Sequence, residues 1–291
     1  MNNKSFLEPC LRAVFQSGIR SSFDVVVVDN GSTDGSQDML RQEFPRVKLI
    51  ENRHNNGLSA ASNQGMTSTN GRYVLLLNDD TLVNGQSLDA LVSFLDSTPV
   101  AGAVGGRLLD PDGTFQASFA NFSSLRQEFM ITTRLGELIW NGYPSHHDSE
   151  HARSVDWLSS ACLLIRRSAL AQVGLLDEDY FIYGDEADLQ YRLKRSGWEV
   201  YYLPDASTIH YGGRSLDRWR RRKMVYRGKM LFYRKNYGFL HGAALQAMIG
   251  LVSVVKLLVW VAAASVPRWR DRAQQELRSN LEVMNLSLAL R

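Results

Sequence analysis

Asn78, Asp79 and Asp80 place three oxygen-bearing side chains directly after the apolar run Val74–Leu77. Four apolar residues without alternation read as a strand buried on both faces of a sheet. Ligands of open α/β sheets bind beyond the carboxyl ends of the strands. Carboxylates at that place suit a hard divalent cation, which usually also holds substrate phosphates. An Asp-rich turn that closes a strand and binds nothing has the same appearance on this stretch alone. A second set of acids lies in the stretch 175–191, where Asp177, Glu178, Asp179, Asp185, Glu186 and Asp188 stand among four aromatic residues. Acids this dense repel one another and require water, cations or another compensation. Asp185 and Glu186 precede a helical pattern, and carboxylates also suit a helix N-terminus, so capping and chemistry are both open there.

The elements around these acids follow a strand–helix rhythm. Phe6, Leu7, Cys10, Leu11, Val14 and Phe15 recur at helical spacing over residues 4–18, and Gly18 would stop that helix. Residues 23–29, FDVVVVD, form a second buried-strand pattern ending in an acid. The turn-rich Asn30–Ser36 loop leads into a helix through about residue 43, and 47–51 is a short strand. After Asn55-Asn56-Gly57, the small residues Ala60, Ala61 and Ser62 indicate a helix packed close to a neighbour or ligand, and Gly57 permits close backbone approach. Alternation of this kind predicts a parallel, right-handed α/β sheet. Further on, a helix is expected over 87–96, and strands over 100–109, 155–165 and 199–204. The poorly patterned residues 115–153 read as functional loops.

At 291 residues, 44% of them hydrophobic, the chain can bury a large core. The net charge is +3 but uneven: the belt 214–235 carries +9, leaving −6 elsewhere. Such a belt suits anionic partners such as nucleotides or lipids. It has no nucleic-acid recognition motif, and its aromatics fit packing, so no nucleic-acid partner is expected. Cys10 and Cys162 have no metal-type spacing and read as free thiols. Nothing at the N-terminus reads as a signal peptide. Residues 243–266 are long enough to span a bilayer and interrupted mainly by Gln246, Ser253 and Lys256. Those three share one side of a helical wheel, and with the flanking basic belt that also fits a helix lying in the membrane surface; a buried core helix is the third option. Residues 277, 281, 284 and 288 give the tail an apolar stripe.

Six blocks in order, VVVVDNGSTDGS, NNGLSAASNQG, LLLNDD, DWLSSACLLIRR, YFIYGDEADLQYRLKRSGW and IHYGGRS, resemble the family 2 glycosyltransferases, and within them the rhamnosyltransferase-type enzymes of cell-surface polysaccharide synthesis. The resemblance covers roughly residues 4–237. It implies a GT-A, Rossmann-like, mixed and mainly parallel sheet flanked by helices over 1–237, with membrane-associating helices over 238–291. It implies an inverting transfer of rhamnose or another hexose from a dTDP or UDP sugar to a lipid-linked or polysaccharide acceptor, at the cytoplasmic face of the bacterial inner membrane, either peripheral or single-span. A divalent cation, Mg²⁺ or Mn²⁺, is implied, with Asp80 as ligand and His210 completing the site. Asn78 stands where many relatives carry an acid. Asp29, Asn30, Ser32, Asn56, Gly57 and Asn63 would line the nucleotide, with Asp79 near the sugar or ribose. Glu186 would be the general base, with Asp185 as runner-up, and Asp156 and Trp157 would face the acceptor. The family usually has a strand ahead of Asn2-Asn3, so a gap beside 23–28 and a further N-terminal segment of about 10 residues are expected. A non-catalytic nucleotide-sugar-binding scaffold of the same fold is the alternative.

Overall fold

A computed structural model describes residues 1–139, 148–212 and 218–289. In chain order the elements are α1 (Lys4–Gln16), β1 (Val26–Asp29), α2 (Ser36–Glu43), β2 (Lys48–Glu51), α3 (Leu58–Thr67), β3 (Tyr73–Leu77), β4 (Thr81–Leu82), α4 (Gly85–Ser97), β5 (Ala101–Leu109), β6 (Phe115–Gln116) and β7 (Phe119–Ala120). There follow α5 (Leu125–Thr133), α6 (Leu135–Ile139), β8 (Arg153–Val155), β9 (Trp157–Leu158), β10 (Cys162–Arg166), α7 (Arg167–Val173), α8 (Asp185–Arg195), β11 (Glu199–His210), α9 (Arg218–Phe232), α10 (Phe239–Ala264) and α11 (Arg270–Ala289). The described residues pack as two units, one of Met1–Phe122, 148–181 and Asp185–Gly212, the other of 123–139, Ile182–Gly184 and 218–289. Residues ahead of the expected 237/238 boundary thus take part in the second unit.

In the first unit a seven-stranded sheet runs β3-β10-β5-β11-β4, with β6 on β5 and β8 on β11. The mixed sheet that the resemblance implies is present, not the parallel one that the strand–helix rhythm predicts. β11 runs parallel to β5, whereas β10 lies antiparallel between β3 and β5, and β4 is antiparallel to β11. β3 shows why its sequence lacks alternation: Val74 and Leu76 pack with Met66, Leu170 and Leu189 on one face, while Leu75 and Leu77 pack with Leu88, Leu91 and Leu95 on the other. Complete burial of such a side chain contributes about 1.5–3 kcal/mol; Val74 is buried and Leu75, Leu76 and Leu77 are partly so. β1 and β2 pair in parallel as a separate ladder. Leu7 and Leu11 of α1 cover Val25 and Val27, and Val14 of the same helix packs in the cluster that holds Leu75 and Leu77. Among the described residues no strand bridges β1 and β3, which is where the gap beside 23–28 is expected.

Several boundaries differ from the sequence reading. The single strand expected over 155–165 is three short ones, because Asp156 turns its carboxylate to the Phe122 N–H and β9 pairs with β7 instead. The strand expected over 199–204 continues to His210. Its register against β5 shifts between Leu203 and Ser207, so Pro204, which has no N–H to donate, sits in an irregularity rather than ending the strand. Residues 115–139 hold β6, β7, α5 and α6 rather than loop alone, and 140–147 lie outside the described residues. So do Gly213, Arg214 and Ser215 of the last motif and the start of the basic belt.

In the second unit α10 packs on α11, close enough that a Cβ on Gly250 would come within 2.8 Å of Ser287 Oγ. The polar stripe of α10 points into this unit. Gln246 donates to the Ser287 carbonyl, Lys256 donates to the Thr132 carbonyl, and Ser253 is buried. Glu128 of α5, almost wholly buried, accepts two bonds from Lys229 of α9 at 2.8 and 2.9 Å. The buried carboxylate is therefore paired.

Candidate active site

β4 and β11 bring two motifs distant in sequence together. Their register sets Thr81 opposite His210, and the Tyr211 N–H donates to the Asp80 carbonyl at 2.9 Å. His210 Nε2 then lies 3.3 Å from Asp80 Oδ1 and 3.3 Å from Asn78 Nδ2. The other ring nitrogen, Nδ1, is 2.6 Å from Gln116 Oε1. The Gln116 amide nitrogen is spent on the His210 carbonyl and on Asp110 Oδ1. Its oxygen therefore accepts from Nδ1–H, which orients the ring and aims Nε2 at the acids. Burial pushes the Asp80 carboxyl upward, but the hydrogen bond and charge of His210, with backbone N–H groups, outweigh it and hold the group below the usual range. At Asp79 burial wins: the carboxyl is raised despite the bond from Asn3 Nδ2 at 2.9 Å.

Asp80 and His210 are the two side chains at this strand end that could hold a cation. Among the described residues no group of three or more His, Cys, Asp and Glu side chains gathers to enclose one. An open pair of protein donors fits a divalent ion that fills its remaining positions with diphosphate oxygens and water. The turn that presents the pair is tied internally: Thr81 Oγ1 donates to the Asn78 carbonyl at 2.7 Å, and the buried Cys10 thiol lies 3.6 Å from the same oxygen.

The Asp29–Ser36 loop is organised by its own acids. Asp29 Oδ2 accepts from the N–H groups of Gly31 and Ser32 and from Gln37 Nε2, while Oδ1 accepts from the Ser32 hydroxyl. Both oxygens of Asp29 are thus engaged within the loop it was expected to share with a nucleotide. The N-terminal residues lace this loop to the strand-end acids: Asn2 accepts from the Thr33 N–H, and Asn3 donates to Asp79. Asn30 donates to the Gly57 carbonyl and accepts from Asn52, which joins the loop to the start of α3. Gly57 has φ +91°, and a Cβ there would fall 2.8 Å from the Phe181 carbonyl, so only glycine permits this approach. Asn56 beside it is exposed. Asn63 is buried and tied to the acidic segment: it donates to the Leu176 carbonyl and to Glu178, and accepts from the Leu176 N–H.

The helix-start acids are held by a different device. Gln190, fully buried one turn after Glu186, accepts from the Leu158 N–H and donates to the Leu158 carbonyl, both at 2.8 Å. This clamps α8 to β9 and so fixes Trp157 relative to Glu186. The Ala161 carbonyl, just beyond β9, accepts from the Asn78 N–H at 3.0 Å, so the strand-end and helix-start acids share one framework. Asp185 is 1% exposed, and its Oδ1 has no hydrogen-bond partner among the described residues. Asp188 is structural, paired with Arg192 at 2.9 Å.

Gln116, Gln190 and Asn52 are the positioning residues that the sequence alone does not single out. The helical spacing of four between Glu186 and Gln190 is the one signal that connects any of them to a site residue.

The model of the family described as "Glycosyl transferase family 2" matches residues 1–174. The chain is 35% identical over 211 residues to an N-acetylglucosaminyl-diphospho-decaprenol L-rhamnosyltransferase of Mycobacterium tuberculosis, covering 67% of this chain and 68% of that protein. It is 30% identical over 203 residues to the O-antigen biosynthesis protein RfbC of Myxococcus xanthus, covering 65% of this chain and 15% of that one. Its fold is similar to that of a Pyrobaculum calidifontis mannosyltransferase solved with GDP-Man and Mn²⁺, with a TM-score of 0.59 at 16% identity over 99% of this chain and 84% of the other. S. aureus TarS 1-349 is also similar, with a TM-score of 0.52 at 14% identity over 98% and 88% of the two chains. With the family model covering more than half its length, the chain belongs to glycosyl transferase family 2.

Proposed function

We propose that this glycosyltransferase is an inverting, cation-dependent enzyme that moves a hexose, rhamnose first among them, from a dTDP or UDP sugar to a lipid-linked acceptor of cell-surface glycan synthesis at the cytoplasmic face of a membrane. The observation that carries the reading is the Asp80–His210 pair where β3 and β11 end, with the imidazole oriented by Gln116. The relative from Mycobacterium tuberculosis, named for L-rhamnose transfer to a diphospho-decaprenol, supports the sugar and the acceptor class. Asp80 and His210 hold a divalent cation, Mg²⁺ or Mn²⁺. When bound, that ion offsets the negative charge that develops on the departing nucleoside diphosphate. Asp29 and Ser32 shape the loop that receives the nucleotide, Asn30, Asn56 and Gly57 line it, Asn63 holds the segment behind it, and Asp79 faces the sugar or ribose. Glu186 takes the proton from the acceptor hydroxyl as its oxygen bonds to the anomeric carbon and the carbon–phosphate oxygen bond breaks. Asp185 is the second candidate for that proton. Asp156 and Trp157 border the acceptor.

Thermal unfolding with dTDP, UDP and GDP, each with and without Mn²⁺, tests the site. The expected result is a rise in Tm for one nucleotide that requires the metal and disappears in Asp80→Ala. No shift with any nucleotide overturns the reading.

A further inference from the structure

α10 has its polarity reversed relative to a helix on a water-facing surface. Its Gln246 and Lys256 are hydrogen-bonded inside the second unit and its Ser253 is buried there. Its outward face is apolar from end to end: Leu240, Leu251, Leu258 and Val261 are 79, 68, 67 and 61% exposed, with Val255 between them. Basic residues bracket this face. Arg234 and Lys235 precede it and are exposed, and Arg268, Arg270 and Arg272 follow it. At the second end the Arg268 guanidinium stacks on Trp269, and that of Arg272 lies 5.6 Å from the ring centres of both Trp260 and Trp269. Indole and guanidinium groups together are the chemistry of the headgroup level of a bilayer.

α10 is long enough and apolar enough to cross a membrane, but α11 lies antiparallel along it, from Gly250 beside Ser287 to Trp260 beside Arg272. α11 carries Arg272, Glu276, Arg278 and Glu282, and ion pairs tie Glu276 to Arg222 and Glu282 to Lys223 on α9. A transverse α10 would draw these charges into hydrocarbon, where they are costly. An α10 lying flat puts only its apolar face into the acyl boundary and leaves α11 and α9 wet.

We infer that the outward face of α10 docks the protein in the plane of an anionic phospholipid surface, as a one-sided anchor and not a span. The occupant is lipid because the apolar face is bracketed at both ends by cationic side chains, complementary to anionic headgroups. The inference deepens the membrane-face location proposed above, but it rests on the second unit alone and does not require the transfer reaction.

Flotation of the full chain tests it, with vesicles of phosphatidylcholine alone and of phosphatidylcholine mixed with phosphatidylglycerol. Binding is expected to the anionic vesicles, weakening as salt rises. The triple variant Leu251→Gln, Val255→Gln, Leu258→Gln is expected to lose about tenfold or more of that binding. Arg268→Gln, Arg270→Gln, Arg272→Gln, which leaves the apolar face intact, is expected to lose the preference for anionic vesicles. Both variants should keep the metal-dependent Tm shift with nucleotide, which separates failure of the anchor from failure of the site. Wild-type protein that ignores both vesicle types, or that forms a dimer abolished by the Gln variant, overturns the inference in favour of a second copy. Orientation is read with His241→Cys and Ser265→Cys, since both native thiols are buried. Labelling of both new thiols from outside the vesicle by a membrane-impermeant maleimide supports the flat anchor, and protection of one of them establishes a span and overturns it.

Discussion

Asp80 and Asp185 are both buried carboxylates, 6% and 1% exposed, yet their surroundings differ in kind. Asp80 faces an imidazole held by a second amide, and its acidity is strengthened against burial. Asp185 begins a helix with one oxygen unmet by any described residue. A partnered carboxylate is already arranged for positive charge and welcomes a cation in exchange for part of its pairing. An unmet buried acceptor costs about 1–3 kcal/mol, a cost that a hydroxyl donor arriving from outside can offset. The contrast supports the proposed roles, with the strand-end acids serving the leaving group and the helix-start acids the acceptor.

The largest effect expected is on the acceptor side. Glu186→Gln should lower kcat by about 10²–10⁴-fold, the usual contribution of a general base, while the metal-dependent nucleotide shift is retained. Asp185→Asn should cost less activity and raise Tm, because it removes a buried charge with an unmet oxygen. The opposite ranking of the two in kcat would move the base to Asp185. On the leaving-group side, Asp80→Asn should lower kcat by about 10²–10³-fold, as for loss of one electrostatic contact to developing charge, and should abolish the cation's effect on nucleotide binding. Retained cation dependence in that variant would break the division of labour between the two acid sets.

Gln116→Leu sharpens the comparison one shell further out. Without the amide oxygen, His210 Nδ1–H loses its acceptor and the ring its fixed orientation. Cation affinity, read from the nucleotide Tm shift as a function of Mn²⁺, should fall about 10–100-fold. The kcat at saturating cation should change far less. An equal loss of kcat at saturation would make Gln116 part of the chemistry rather than a support for His210.

How much of this the chain disclosed depends on what decides each feature. β3 was legible because burial on both faces writes itself as an unbroken apolar run. Its acids were legible because the run stops at them. The delivery of His210 was not, since Pro204 reads as a strand end, and only the irregular pairing with β5 carries β11 past it. Asp156 sits inside an apolar stretch without announcing that its side chain will cap Phe122 and split the strand. Gln116 and Gln190 are ordinary polar residues whose importance comes from partners 94 and 32 positions away. In α10, periodicity identified the side bearing Gln246, Ser253 and Lys256 but not the direction that side faces, because the carbonyls of Thr132 and Ser287 decide it.

The smallest effect concerns the two thiols, which report on the same two regions. Burial pushes both Cys10 and Cys162 up to about 11, and the charges of Asp79 and Asp80 add to the rise at Cys10. Each thiol keeps its proton in the folded chain through a range where the unfolded chain loses it. Their contribution to stability is therefore complete below the unfolded value near 9.0 and is lost as pH rises from there toward about 11. Tm measured across that window should fall, and Cys162→Ala should fall less steeply while starting lower, since it also removes a packed core atom. Binding of the divalent cation offsets the charge of Asp79 and Asp80, which helps raise the Cys10 thiol, whereas burial raises that of Cys162. Saturating Mn²⁺ with nucleotide should therefore flatten the alkaline slope in Cys162→Ala, where Cys10 is the remaining thiol, more than in Cys10→Ala. Equal flattening in the two variants would mean that the cation does not settle at the strand-end acids.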